Sequence, residues 1–184
     1  DPKKFVDLLR EQGIGLFAGV PDSLLSSFCG YLQDQSRPEE YIITANEGNA
    51  IAVAAGFHLS TGKVGAVYLQ NSGLGNAINP LASLADAEVY GIPMLMIIGW
   101  RAEPGINDEP QHITQGRITP AQLSLLEVPY LIMDGASDLY QILHATFTTL
   151  RASNRPVALL VRKDTFSTYK GRPIEARHVA SLKR

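Results

Sequence analysis

Short apolar runs alternate with helix-like stretches along almost the whole chain, and this alternation limits the possible folds more than any other feature. The runs at 15–20, 41–44, 64–69, 94–98, 130–133 and 157–161 are apolar along their length and do not alternate with polar residues. Such runs suit strands that are covered on both faces. Between them, helices are expected at 23–33, 46–60, 74–85, near 120–126 and at 139–152, and an amphipathic helix with Phe5, Val6, Leu8 and Leu9 opens the chain. Strands separated by helices predict an α/β fold: a doubly wound, mainly parallel six-stranded sheet with helices on both faces and right-handed crossovers.

With 184 residues and 45% hydrophobics the chain can bury a core as one domain, expected over 1–162. After Arg162 the sequence turns polar and loses its periodicity, so 163–184 reads as a tail or an interdomain linker. The apolar runs are too short to span a membrane, and Asp1-Pro2-Lys3-Lys4 leads into no signal-peptide core, so a soluble, cytoplasmic protein is expected. A formal charge of -2 with no basic stripe or acidic block points away from nucleic-acid and membrane partners and toward small molecules. The single cysteine, Cys29, excludes an intrachain disulfide and a Cys-based metal cluster, and its apolar neighbours mark it as buried packing.

The segment Thr44-Ala45-Asn46-Glu47-Gly48-Asn49-Ala50 sets one carboxylate between two side-chain amides where a strand gives way to an alanine-rich helix. Asn46 as N-cap and Glu47 as a first-turn acid would serve the helix alone. The same position lies at the carboxyl end of a strand, where open α/β sheets bind ligands, so a functional role for Glu47 stands beside the structural one.

Two nucleotide-binding motifs fail on inspection. Ser72-Gly73-Leu74-Gly75-Asn76-Ala77-Ile78 follows a strand and opens a helix but has Ile78 where a dinucleotide fingerprint needs its third glycine. Thr61-Gly62-Lys63-Val64 lacks both the first glycine and the Ser or Thr of a phosphate-binding loop. The histidines, His58, His112, His144 and His178, show no metal-ligand spacing. A long connection, 99–112, follows the fourth strand and carries Trp100, Arg101, Glu103, Asp108, Glu109, Gln111 and His112. Connections of that length usually serve function, although Trp100 capping the core beside an Arg101–Glu103 surface pair is the plainer account.

Five runs together, Gly19-Val20-Pro21-Asp22-Ser23, Asn46-Glu47-Gly48-Asn49-Ala50, Gln70-Asn71-Ser72-Gly73-Leu74-Gly75-Asn76, Gly99-Trp100-Arg101 and Asp108-Glu109-Pro110-Gln111-His112, resemble the amino-terminal, pyrimidine-binding domain of the thiamine-diphosphate decarboxylases, within them the phosphonopyruvate decarboxylases. The likeness runs from about Phe5 to Arg162. It implies a lyase that converts 3-phosphonopyruvate to phosphonoacetaldehyde and CO₂ in phosphonate biosynthesis, with thiamine diphosphate and Mg²⁺ as cofactors. The metal would be held by a second, diphosphate-binding domain, in the same or another chain, whose Gly-Asp-Gly motif is missing here, so no metal ligand is assigned. A homo-oligomer is expected, because such domains leave apolar interface exposed.

The resemblance matches Glu47 to the family glutamate that hydrogen-bonds N1′ of the aminopyrimidine, and Asp22 to an active-site aspartate with a proton-relay role, an N-cap being the competing account. Asn71, Ser72 and Gly73 would lie along the pyrimidine. His112 stands where some relatives carry a histidine pair, the other member being Gln111 here, and Arg101, His112 and Gln111 would meet the substrate. The alpha subunit of sulfopyruvate decarboxylase is the close alternative, and a non-catalytic small-molecule or partner-binding module is the alternative of another class.

Overall fold

In the computed structural model, which describes residues 1–171, six strands form one parallel sheet: β1 (Ile14–Gly19), β2 (Tyr41–Ile43), β3 (Val64–Gln70), β4 (Met94–Gly99), β5 (Tyr130–Met133) and β6 (Val157–Val161). Their order across the sheet is β2-β1-β3-β4-β6-β5. The chain reverses its direction of travel between β1 and β3, and the carboxyl ends of strands at such a point form the crevice where doubly wound folds take ligands.

The helices are α1 (Pro2–Glu11), α2 (Ser26–Gln35), α3 (Glu47–Thr61), α4 (Leu74–Pro80), α5 (Pro110–Leu125) and α6 (Leu139–Ser153). Side chains of the central strands alternate between two cores, as pleating requires. Phe17, Tyr68, Leu95, Ile97 and Leu159 pack with α1, α2 and α6. Leu16, Val67, Leu69, Met96, Ile98 and Leu160 pack with α3, α4 and α5 on the other face. Because β1, β3, β4 and β6 are almost wholly buried, their continuous apolar sequences carry no period-two signal.

Three expectations are corrected. The second helix begins at Ser26 and not at Ser23, because Asp22 folds a turn in which its own Oδ2 accepts from Leu24 N at 3.1 Å. The fourth interstrand helix is 16 residues long and starts at Pro110, so His112 lies in its first turn and the connection after β4 ends at Glu109. Proline suits the first helical position. Pro120 sits inside the same helix, where its missing N–H would strand the Gly116 carbonyl four residues earlier. Trp100 Nε1 donates to that carbonyl at 2.8 Å, which explains how a helix interior tolerates proline and why Trp100 is buried. The third correction concerns the polar stretch after Arg162, whose first part packs on the domain. Phe166 stacks on Phe28 with ring centroids 5.8 Å apart, and Tyr169 donates to Asp34 at 3.2 Å. Residues 172–184 lie outside the described residues.

Candidate active site

Three groups of side chains meet at the carboxyl edge of the sheet, and one buried amide ties them together. Asn71, 0% exposed at the end of β3, donates from Nδ2 to Arg101 O and to Thr119 Oγ1, each at 3.0 Å, and accepts at Oδ1 from Arg101 N. Its own carbonyl accepts from Gln115 Nε2 at 2.9 Å. Every polar atom of the Asn71 side chain is thereby committed. Asn71 pins the strand ends and α5 in register.

The first group is built around Glu47, the first residue of α3. Asn46 caps that helix by accepting Asn49 N at 2.9 Å, which leaves the Glu47 side chain to serve something other than the cap. Glu47 Oε2 accepts from Asn76 Nδ2 at 2.7 Å. The rest of the carboxylate lies over Gly73, where a Cβ would fall 2.3 Å from Oε1. A Cβ on Gly48 would likewise meet Asn76 O at 2.8 Å, so the turn Asn71–Gly73 and the start of α4 sit against the tip of α3 only because both positions are glycine. Ser72 is exposed beside them and accepts from Gln70 Nε2 at 2.6 Å. A half-buried carboxylate with one oxygen held and the other over a glycine surface suits a hydrogen bond to a flat ring nitrogen, as a bound aminopyrimidine would offer.

The second group contains Asp22, 5% exposed, whose Oδ1 is buried without a hydrogen-bond partner. Gly99 permits this burial, since a Cβ there would lie 2.1 Å from Asp22 Oδ2. Desolvation raises the Asp22 carboxyl from its ordinary value, against the pull of the Leu24 N–H and the charge of Arg101. Asp22 is not an N-cap: the residue before α2 is Leu25, with no side-chain cap. Arg101 forks onto Asp108, with Nε donating to Oδ2 at 2.7 Å and Nη2 to Oδ1, and Nη1 reaches Ser23 Oγ at 2.8 Å. The guanidinium beside Asp108 holds that carboxyl well below the usual carboxylate range. Arg101 is therefore a paired clamp across the turn after β1 and the loop after β4. The suggested Arg101–Glu103 surface pair is replaced: Glu103 binds Arg162, at 2.7 Å.

In the third group His112 Nδ1 lies 3.3 Å from Gln70 Nε2, the same amide that reaches Ser72. Gln111, one residue earlier, is exposed.

Glu47, Asp22, Ser72, Gly73 and His112 therefore share one edge of the sheet. Sequence reasoning missed Gln70, Asn76, Gln115 and Thr119, although Gln70 and Asn76 belong to the run it singled out. Asn76 bonds Glu47 across 29 positions, a pairing that only the fold creates. Among the described residues no cluster of three His, Cys, Asp or Glu could hold a metal ion, and no helix is long and apolar enough to cross a membrane.

Over residues 3–125 the chain matches the thiamine pyrophosphate enzyme, N-terminal TPP binding domain. It is 40% identical over 141 residues to a phosphonopyruvate decarboxylase of Streptomyces viridochromogenes, a match covering 77% of this chain and 34% of that protein. It is 31% identical over 153 residues to the sulfopyruvate decarboxylase subunit alpha of Methanococcus maripaludis, covering 83% of this chain and 89% of that subunit. The chain thus spans about a third of the phosphonopyruvate decarboxylases it matches. Among solved structures, benzoylformate decarboxylase from Polynucleobacter necessarius superposes with a TM-score of 0.68 at 21% identity, covering 97% of this chain and 33% of that one, a likeness of fold.

Proposed function

The chain belongs to the thiamine pyrophosphate enzymes as their N-terminal TPP-binding domain, and on that premise we propose that it is the pyrimidine-binding half of a decarboxylase acting on 3-phosphonopyruvate. The products are phosphonoacetaldehyde and CO₂. The observation that carries this reading is Glu47, held by Asn76 with its free oxygen over Gly73 at the ligand-binding edge of the sheet. Identities of 40% and 39% to phosphonopyruvate decarboxylases, against 36%, 31% and 29% to sulfopyruvate decarboxylase alpha subunits, favour the phosphonate over the sulfonate.

Thiamine diphosphate, when bound, supplies the carbon nucleophile and the electron sink that decarboxylation of a 2-oxo acid needs. Glu47 Oε1 would hydrogen-bond the ring nitrogen N1′ of the aminopyrimidine and so favour its imino form, with Gly73 and Ser72 forming the floor beneath it. Mg²⁺ and the diphosphate belong to a second domain, in the same or another chain, and an oligomer in the cytoplasm would bring the halves together.

Losing CO₂ from a 2-oxo acid and releasing an aldehyde consumes one proton. Asp22 is the group in this domain suited to deliver it, because burial favours its protonated form and Oδ1 has no competing partner. His112, oriented through Gln70, and the neighbouring Gln111 would face the substrate from the start of α5. Arg101 positions Ser23 and, through Asn71, the end of β3.

Decarboxylation of 3-phosphonopyruvate by the full-length protein, with thiamine diphosphate and Mg²⁺, tests the reading beside its Glu47→Gln variant. Activity that collapses in the variant with folding intact is expected. Turnover of 3-sulfopyruvate in preference to the phosphonate would replace the substrate, and equal activity in parent and variant would remove Glu47 from the chemistry. Cofactor binding without turnover of either acid would point to the non-catalytic module.

A further inference from the structure

Beside the groups used above, the strand ends border an open pocket that the proposed chemistry leaves without a role. Ser23, Leu24, Arg101, Asn107, Asp108 and Lys163 line about 200 Å³, the liquid-volume share of roughly six waters. That is room for a tetrahedral oxyanion on a short carbon chain. Its walls follow β1, β4 and β6, and Ser23 adjoins Asp22, the proposed proton donor.

The charges decide what such a space would hold. Arg101 and Asp108 neutralise each other through their fork. Lys163, by contrast, has no ion pair and no side-chain hydrogen bond among the described residues, and it is exposed. Glu103, on the same loop as Asp108, is taken by Arg162, which also reaches Asp134. Asp22 lies within reach of the Arg101 charge, and its burial disfavours the charged form. Lys163 is therefore the lining cation without an ion pair among the described residues. Ser23 Oγ accepts from Arg101 Nη1, which leaves its hydroxyl hydrogen to donate to a ligand.

We propose that Lys163, with Ser23 beside it, binds the terminal phosphonate or sulfonate of the 2-oxo acid in this cavity and so selects doubly acidic substrates over simple 2-oxo acids. The inference rests on the decarboxylase reading. An ammonium meeting a phosphonate makes charge-assisted hydrogen bonds, stronger than neutral ones. A substrate without the second acid group would leave Lys163 solvated and gain nothing from it.

The test uses the full-length enzyme, its Lys163→Met and Lys163→Arg variants, and Lys170→Met as an exposed-lysine control. Removing one charged hydrogen-bond partner should raise the KM for 3-phosphonopyruvate roughly 10- to 100-fold in Lys163→Met while kcat stays within about twofold. Lys163→Arg should recover most of that loss, and Lys170→Met should match the parent. An unchanged KM in Lys163→Met, or a fall in kcat at constant KM, would overturn the assignment while leaving the decarboxylase reading intact. Should the parent turn over neither acid, that reading fails on its own. Calorimetric titration with phosphonoacetate then decides on the cavity: weaker binding to Lys163→Met than to the parent supports it, and equal or undetectable binding to both refutes it.

Discussion

Replacing Gly73 with alanine should separate position from stability at Glu47. An ideal Cβ at residue 73 would fall 2.3, 2.4 and 2.5 Å from Oε1, Cδ and Cγ of Glu47. That is about 1 Å short of van der Waals contact. The backbone of Gly73 is locked by the buried Asn71 network, so the Glu47 side chain must be the part that moves. Being half-buried and flexible, it can swing away and give up the Asn76 hydrogen bond, which costs stability only about 1 kcal/mol. For catalysis, displacement of a positioned group by about 1 Å can cost on the order of a hundredfold. Gly73→Ala in the full-length enzyme is therefore expected to lose roughly a hundredfold in kcat with a melting temperature within a few degrees of the parent. Gly75, two residues on in the first turn of α4, supplies the control: a Cβ there meets nothing within 4 Å, so Gly75→Ala should keep its activity. Paired steady-state kinetics and thermal melts would refute the reasoning if Gly73→Ala kept full turnover, or if both alanines lost activity equally.

Three further outcomes follow from the buried polar groups. Trp100→Phe should destabilise the fold by about 1–3 kcal/mol by orphaning the Gly116 carbonyl, and adding Pro120→Ala, which restores a helical N–H to that carbonyl, should recover much of the loss in a denaturant double-mutant cycle. The two aspartates should act oppositely with pH: Asp108, its carboxyl depressed by Arg101, stabilises above its ordinary range and loses that contribution as pH falls below about 4, so Asp108→Asn should flatten the acid limb of a stability profile. Asp22, raised by burial, binds its proton more tightly folded than unfolded, so the stability of Asp22→Asn relative to the parent should grow as pH rises above about 4, and a difference that shrank would refute that sign. Cys29, buried and with its thiol pushed up to about 12, should resist thiol reagents in the native protein and react at once in denaturant.

The sheet was legible in the sequence because strands buried on both faces must be written as unbroken apolar runs, and all six runs are strands. Helix ends were less legible. The start of α5 was missed because Pro110 and Pro120 both read as breakers, and nothing local announces that Trp100 will satisfy the carbonyl a mid-helix proline strands. Residues 163–171 read as a tail since their polar neighbours hide Phe166, which finds its partners Phe5 and Phe28 only in three dimensions.

At the site, the sequence by itself determined the residue types and their places at strand ends: a carboxylate opening α3, an aspartate after β1, a glycine-rich turn after β3 and a polar run after β4. Tertiary structure alone decided what each of them does. Packing buried Asn71 and made it a tie, matched Arg101 to Asp108, and left Lys163 without an ion pair among the described residues, beside the pocket. Burial and hydrogen bonding depend on which residues face one another in space, as Asn71 and Arg101 do across 30 positions, and even the Arg101–Asp108 pair, seven positions apart, depends on how the loop after β4 folds back. Glu47 is legible in the sequence because a strand end and a helix start are both local signals, whereas its placement over Gly73 required the reversal of chain direction between β1 and β3.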